Sequence, residues 1–129
     1  MQVKTTAKIH RDTKQKLTAD ITIYRGIPNS KMRSIGSIVF LDFIAEKNIE
    51  PKTPEMPDGN FAHPHRGIAT FSYIIDGAIH HLDSAGGEGK VDAGGIQWMN
   101  AGNGIIHDEF FPYDFQKTGG KIFGLQFWI

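Results

Sequence analysis

No cysteine occurs anywhere in the 129 residues. Disulfides and thiolate metal sites are therefore excluded, and the usage fits a reducing cytoplasm. Net charge is missing too, since fourteen Lys and Arg balance fourteen Asp and Glu. With no long block of one sign, the chain has no general attraction to nucleic acid or to an anionic membrane. Long apolar runs are also lacking. Residues 1–6 have no apolar core of signal-peptide length, and no segment approaches the roughly 20 residues of a membrane-spanning helix. Nor does any stretch repeat its apolar residues with a helical period, so long amphipathic helices are not expected. A cytoplasmic protein is the expectation.

What is present suits strands. Forty per cent of the residues are hydrophobic and nine are Phe, enough for one core but, at this length, not two. Residues 1–129 read as a single domain, in which 1–17, polar and rich in Lys and Thr, form one weak edge strand or a flexible arm. Residues 20–25 alternate and predict a strand, ended by a turn at 26–30. A largely buried strand is predicted over 37–44. The long stretch 45–62, with Pro51, Pro54, Pro57 and Gly59, reads as a loop that either covers a site or only connects. A strand over 68–75 runs into Asp76-Gly77, a two-residue hairpin signal, and 78–83 returns as its partner. His80 and His81 then fall on opposite faces. At most one can look into the barrel, and neither is expected to bind metal. Residues 84–89 form a glycine-rich turn without the Gly-Lys-Ser/Thr ending of a phosphate loop. Short strands at 96–99, 105–110 and 121–129, with a turn at 100–104 and a polar loop at 112–120, complete an all-β barrel or sandwich.

Two short stretches carry the chemistry. His63-Pro64-His65 and His107-Asp108-Glu109 each hold two metal-capable side chains two residues apart, and in an extended strand positions i and i+2 share a face. In a chain with six histidines among 129 residues, a chance His-x-His is expected about 0.3 times, so the first pair means little alone. The second pair repeats the geometry and adds a carboxylate. If the two strands face each other, the result is a pocket of three nitrogens and one oxygen, a set that suits Fe(II) and also Mn, Ni, Cu or Zn. Pro64 donates no backbone hydrogen bond and so belongs at a strand start or edge. Four protein ligands leave two octahedral positions open, which makes the site capable of catalysis.

These residues also carry a resemblance. His-Pro-His-Arg-Gly at 63–67, Asp76-Gly77, Gln97-Trp98-Met99, Ala101-Gly102, Gly104-Ile105, His107-x-Glu109 and Gly124-Leu125-Gln126 follow in order. From about residue 38 onward they resemble the pirin family of cupins. The resemblance implies a cupin domain, a double-stranded β-helix or jelly-roll-like barrel. Pirins are iron-binding proteins of two cupin domains, and this chain is similar to the N-terminal half only.

Two activities are implied. One is a quercetinase-like dioxygenase acting on a small aromatic enol: a flavonol binds the metal through its deprotonated hydroxyl, dioxygen attacks, and the ring opens with loss of carbon monoxide. Glu109 would serve there as ligand and as the base that takes the flavonol proton. The other is a non-enzymatic, iron-dependent regulator acting through a partner protein. A reading from a third class is a metal-bound scaffold for oligomerisation. Quercetin would stand in for other enols, since a mainly apolar mouth tolerates many.

One position departs from the pattern. Pirins usually keep a Glu four residues after the second His, where this sequence has Ala69, so the oxygen ligand must come from Glu109. The sequence closes on Phe127-Trp128-Ile129, where pirins continue into a second domain. Apolar ends and open strand edges invite association. A homodimer is expected, one subunit standing where the second domain would be, or else a deleted partner half.

Overall fold

The computed structural model describes residues 13–129. Along the chain run β1 (Thr13–Lys16), β2 (Thr22–Ile27), β3 (Phe40–Ile49), β4 (His63–His65), β5 (Ala69–Asp76), β6 (Ala78–Asp83), β7 (Glu88–Asp92), β8 (Ile96–Asn100) and β9 (Ile105–Phe110). A short helix, α1 (Tyr113–Thr118), precedes the closing β10 (Gly120–Trp128). The strands form a six-stranded sheet in the order β1-β2-β3-β10-β5-β8 and a four-stranded sheet in the order β4-β9-β6-β7. The sheets face each other, with Gln126 of the first reaching Glu109 of the second and Trp128 packing edge-on to His65. Two antiparallel sheets closed in this way are the cupin architecture. Among the described residues no helix is long and apolar enough to cross a membrane.

Register gives the large sheet two unlike faces. Alternation turns Ile23, Ile74 and Met99 inward, each at most 5% exposed. Burying such a side chain stabilises by about 1.5–3 kcal/mol relative to leaving it in water. One inward row is polar from edge to edge, because Arg25, Asp42, Gln126, Ser72 and Gln97 stand directly opposite one another on successive strands. Arg25 pairs with Asp42 through both guanidinium branches and covers the Phe40 ring at 4.1 Å. The outward rows are apolar: Tyr24, Phe43, Leu125, Tyr73 and Ile96 in one, Leu41, Phe127, Phe71 and Trp98 in the next. A separate cluster of Ile49, Phe111 and Ile122, joined by Phe115, seats α1.

Several boundaries differ from the sequence-based expectation. The strand predicted over 37–44 is β3, which starts later and continues to Ile49, so the long loop begins only at 50. That loop is fastened to α1. The backbone N–H of Lys52 donates to the Gln116 carbonyl, that of Glu55 to Gln116 Oε1, and Gln116 Nε2 donates to the carbonyls of Glu55 and Phe111. The polar loop expected at 112–120 contains α1, and residues 88–92 form an unanticipated strand, β7.

The hairpin expected across Asp76-Gly77 does not form. Both edges of β5 are already paired, to β10 and β8, so β6 crosses to the other sheet and pairs β7 and β9. Gly77, at φ 84° and with a would-be β-carbon 2.5 Å from the Lys121 carbonyl oxygen, makes that crossing. Residues 13–16 do form an edge strand, exposed along its length and carrying Lys14 and Lys16; the remainder of the predicted arm, 1–12, lies outside the described residues. The terminal Phe127 and Trp128 are no loose end. β10 is a central strand between β3 and β5, and Ile129 exchanges backbone hydrogen bonds with Ala69.

Candidate metal centre

β4 is an edge strand only three residues long, the setting Pro64 requires. It pairs antiparallel with β9, setting His63 directly opposite His107, while on the other side of β9 His81 of β6 stands opposite Glu109. Four imidazoles thus meet at one end of the small sheet. His65 and His81 are each 7% exposed and His107 is 1% exposed, while His63 lies at the surface.

Three ring nitrogens converge. His107 Nε2 lies 3.1 Å from His65 Nε2 and 3.1 Å from His63 Nε2. His63 Nδ1 lies 2.8 Å from the Phe61 carbonyl oxygen, which can only accept, so Nδ1 carries a proton and Nε2 is the nitrogen turned toward His107. Burial, and then the neighbouring His63, lowers the pKa of His65. Burial, followed by His63, His65 and His81, pushes that of His107 down to about 3. Neutral imidazoles are what a metal ion requires. Two nitrogens cannot both be bridged to a third by a single proton on His107 Nε2, whereas one cation can serve all three. The edge of an octahedron with bonds of about 2.1–2.2 Å is about 3.0–3.1 Å long, so the observed spacings fit a metal's neighbouring ligands.

The ligating atoms of His63, His65 and His107 lie within 4.8 Å of one another, and those of His81, His107 and Glu109 form a second such group. Glu109 therefore shares His107 with the three-nitrogen group. Burial raises its carboxyl pKa against the pull of His81, His63 and a hydrogen bond from Gln126. Glu109 Oε2 accepts from Gln126 Nε2 at 3.3 Å, and Oε1 is buried with no hydrogen-bond partner. Both amide atoms of Gln97 are likewise buried and unpartnered. Gln97 lines a cavity of about 360 Å³ with His81 and Met99, and a second of about 360 Å³ opens against His65 and Arg66. Ala69 begins β5 opposite Asn100 and offers no ligand.

His81 is the residue that the sequence pattern set aside. Its partner Glu109 lies across a strand pair rather than at i±2, so only the β6–β9 register exposes the relation. His80, on the opposite face, stacks on Phe110 and meets Glu88 at 3.2 Å, away from the cluster.

Comparison with known proteins places these features in a wider set. The family model described as Pirin matches residues 18–129. A pirin-like protein of Caulobacter vibrioides is 32% identical over 118 residues, covering 92% of this chain and 40% of that protein. The crystal structure of a quercetin 2,3-dioxygenase from Acinetobacter baumannii superposes with a TM-score of 0.80 at 30% identity, over 92% of this chain and 41% of that one. A bacterial pirin from Escherichia coli, solved in complex with nickel(II), shares the fold at a TM-score of 0.68 and 18% identity, over 92% and 48% of the two chains. The chain spans less than half the length of each of these relatives.

Proposed function

The chain belongs to the pirin family, and from that premise we propose that it is a metal-dependent dioxygenase opening a flavonol or a related small aromatic enol. His63, His65, His107 and Glu109 hold one divalent ion. Fe(II) is the first expectation for three imidazoles and a carboxylate, with Mn, Ni, Cu or Zn also suited to the set. The observation that carries the reading is the convergence of three Nε2 atoms at 3.1 Å spacings around His107. When bound, the ion supplies Lewis acidity and, if redox-active, one-electron chemistry toward dioxygen.

The chain's own groups do the rest. Glu109, made more basic by burial, takes the enol proton onto Oε1, which has no competing hydrogen bond. Gln126 holds the other carboxylate oxygen in place. Gln97, with a free donor and a free acceptor, matches the hydroxyl and adjacent carbonyl of an enolone. A second reading, an iron-dependent regulator acting through a partner protein, draws support from Ala69, which removes the carboxylate that pirins usually keep there. The whole of 1–129 acts as one domain, in the cytoplasm and as a homodimer.

Elemental analysis of protein purified without chelators should find one metal equivalent. Oxygen-electrode assays of the Fe(II)-loaded protein with flavonols should show uptake accompanied by carbon monoxide. Glu109→Ala should abolish turnover. Uptake unchanged in that variant would exclude the mechanism, and no uptake with any enol would leave the regulator.

A further inference from the structure

His81 is a buried side chain that the proposed reaction leaves unused. It bridges two residues: its Nε2 lies 2.9 Å from Asp83 Oδ2 and its Nδ1 lies 3.3 Å from His107 Nδ1. Asp83 is fixed in turn. Its Oδ1 accepts backbone N–H bonds from Ala85 at 2.8 Å and Gly87 at 2.9 Å, and a β-carbon on Gly87 would overlap the carboxylate. The tight turn after β6 is thus built around this one side chain.

The protons on this line follow from the geometry. With Oδ1 taken by two backbone N–H donors, Asp83 turns Oδ2 to His81 Nε2 as an acceptor. A His107 that gives Nε2 to a metal carries its proton on Nδ1 and donates it to His81 Nδ1 across the 3.3 Å contact. His81 then donates from Nε2 to Asp83, and His107 Nε2 faces His63 and His65. A metal-ligating histidine typically gives its second N–H to a carboxylate, carbonyl or water, which sets its tautomer. In this fold a second histidine stands in between.

We propose that Asp83 and His81 are positioning residues, a carboxylate–imidazole pair that locks His107 in its Nδ1–H tautomer and presents Nε2 to the metal. The inference rests on the metal-binding reading above. Neither residue touches the ion or the substrate.

Asp83→Asn tests it without changing shape. The N–H groups of Ala85 and Gly87 still demand the side-chain oxygen, so the amide nitrogen falls opposite His81 Nε2. The amide now donates, His81 Nε2 accepts, and its Nδ1 takes the proton and donates to His107 Nδ1. The His107 proton moves to Nε2, where the metal should be. Long-range proton–nitrogen correlation spectra of the metal-free protein read this directly, with Nδ1–H expected in the wild type and Nε2–H in the variant. Titration with Ni(II) alone should show affinity about 10–100-fold weaker in Asp83→Asn, with His80→Gln unchanged.

A wild-type His107 found as Nε2–H overturns the proposal. So does an Asp83→Asn variant that keeps the wild-type tautomer and affinity, or a second Ni(II) equivalent that disappears in His81→Gln. Because the spectra are taken without metal, a wild type that binds no Ni(II) counts against the metal reading, whereas a wrong tautomer counts against the pair.

Discussion

Gly87 shows how much one missing side chain can decide. Its hydrogen leaves room for the Asp83 carboxylate, which occupies the place of a β-carbon. Gly87→Ala should push Asp83 off His81 and weaken Ni(II) binding in the same direction as Asp83→Asn, measured by the same titration. At His107 the prediction concerns pH. Burial and the surrounding imidazoles hold its pKa near 3 against an ordinary 6.5. As pH falls, the unfolded chain takes up this proton near 6.5 while the fold resists it, so stability is full above that value and is lost on acidification toward about 3. Thermal unfolding of the metal-free protein should show Tm falling over that window, with a shallower fall in His107→Gln. An equal slope in both proteins would mean that His107 is not held neutral by the fold. The pairs His63/His65 and His107/Glu109 were legible because strand alternation is a local rule; the structure groups His63 and His65 with His107, and Glu109 with His107 and His81. His81 was not legible, since its relation to Glu109 and His107 exists only across strands.

At the scale of elements, legibility followed the turns. β6 and β9 match the predicted 78–83 and 105–110 residue for residue, because Gly77 and Gly104, both at positive φ, mark where each begins. β7 left no trace in the pattern. Four of its five residues are exposed and it is held by backbone pairing to β6, so apolar alternation has nothing to record. α1, at six residues, is too short to show a helical period. The choice of partner for β5 is equally silent in the local sequence, since Asp76-Gly77 suits a hairpin as well as a crossing between sheets. The loop before β4 depends on one side chain. Gln116, 4% exposed, ties Glu55 from both sides of its amide and also bonds Phe111. Gln116→Ala would leave the buried Phe111 carbonyl without this partner and should cost about 1–3 kcal/mol. Hydrogen exchange at Glu55 should speed up in that variant, and unchanged protection there would show that the loop is held by other contacts.

At the scale of the whole molecule, one face of the large sheet is left uncovered by the described residues. Outward on the large sheet, Tyr24, Ile96 and Trp98 are 38%, 54% and 55% exposed, and the partly buried Phe43, Phe71, Tyr73 and Phe127 lie beside them. Contiguous apolar surface of this kind on a sheet is a contact face in most proteins that carry it. The two edges of the sheet differ in character. β1 ends it with exposed Thr13, Lys14, Gln15 and Lys16, a polar border that discourages edge pairing, whereas β8 brings Ile96 and Trp98 to the other side. A homodimer should therefore join face to face through the aromatic rows, not end to end through β10, which is paired on both sides. Such an interface is isologous, so one charge introduced at Trp98 appears twice across it. Light scattering at micromolar concentration should give a mass near twice 14.3 kDa for the wild type. Trp98→Glu should shift it to the monomer while leaving Ni(II) affinity unchanged, because Trp98 points away from the histidines. A wild-type monomer at that concentration would rule out the dimer, and a Trp98→Glu dimer would move the interface off this face.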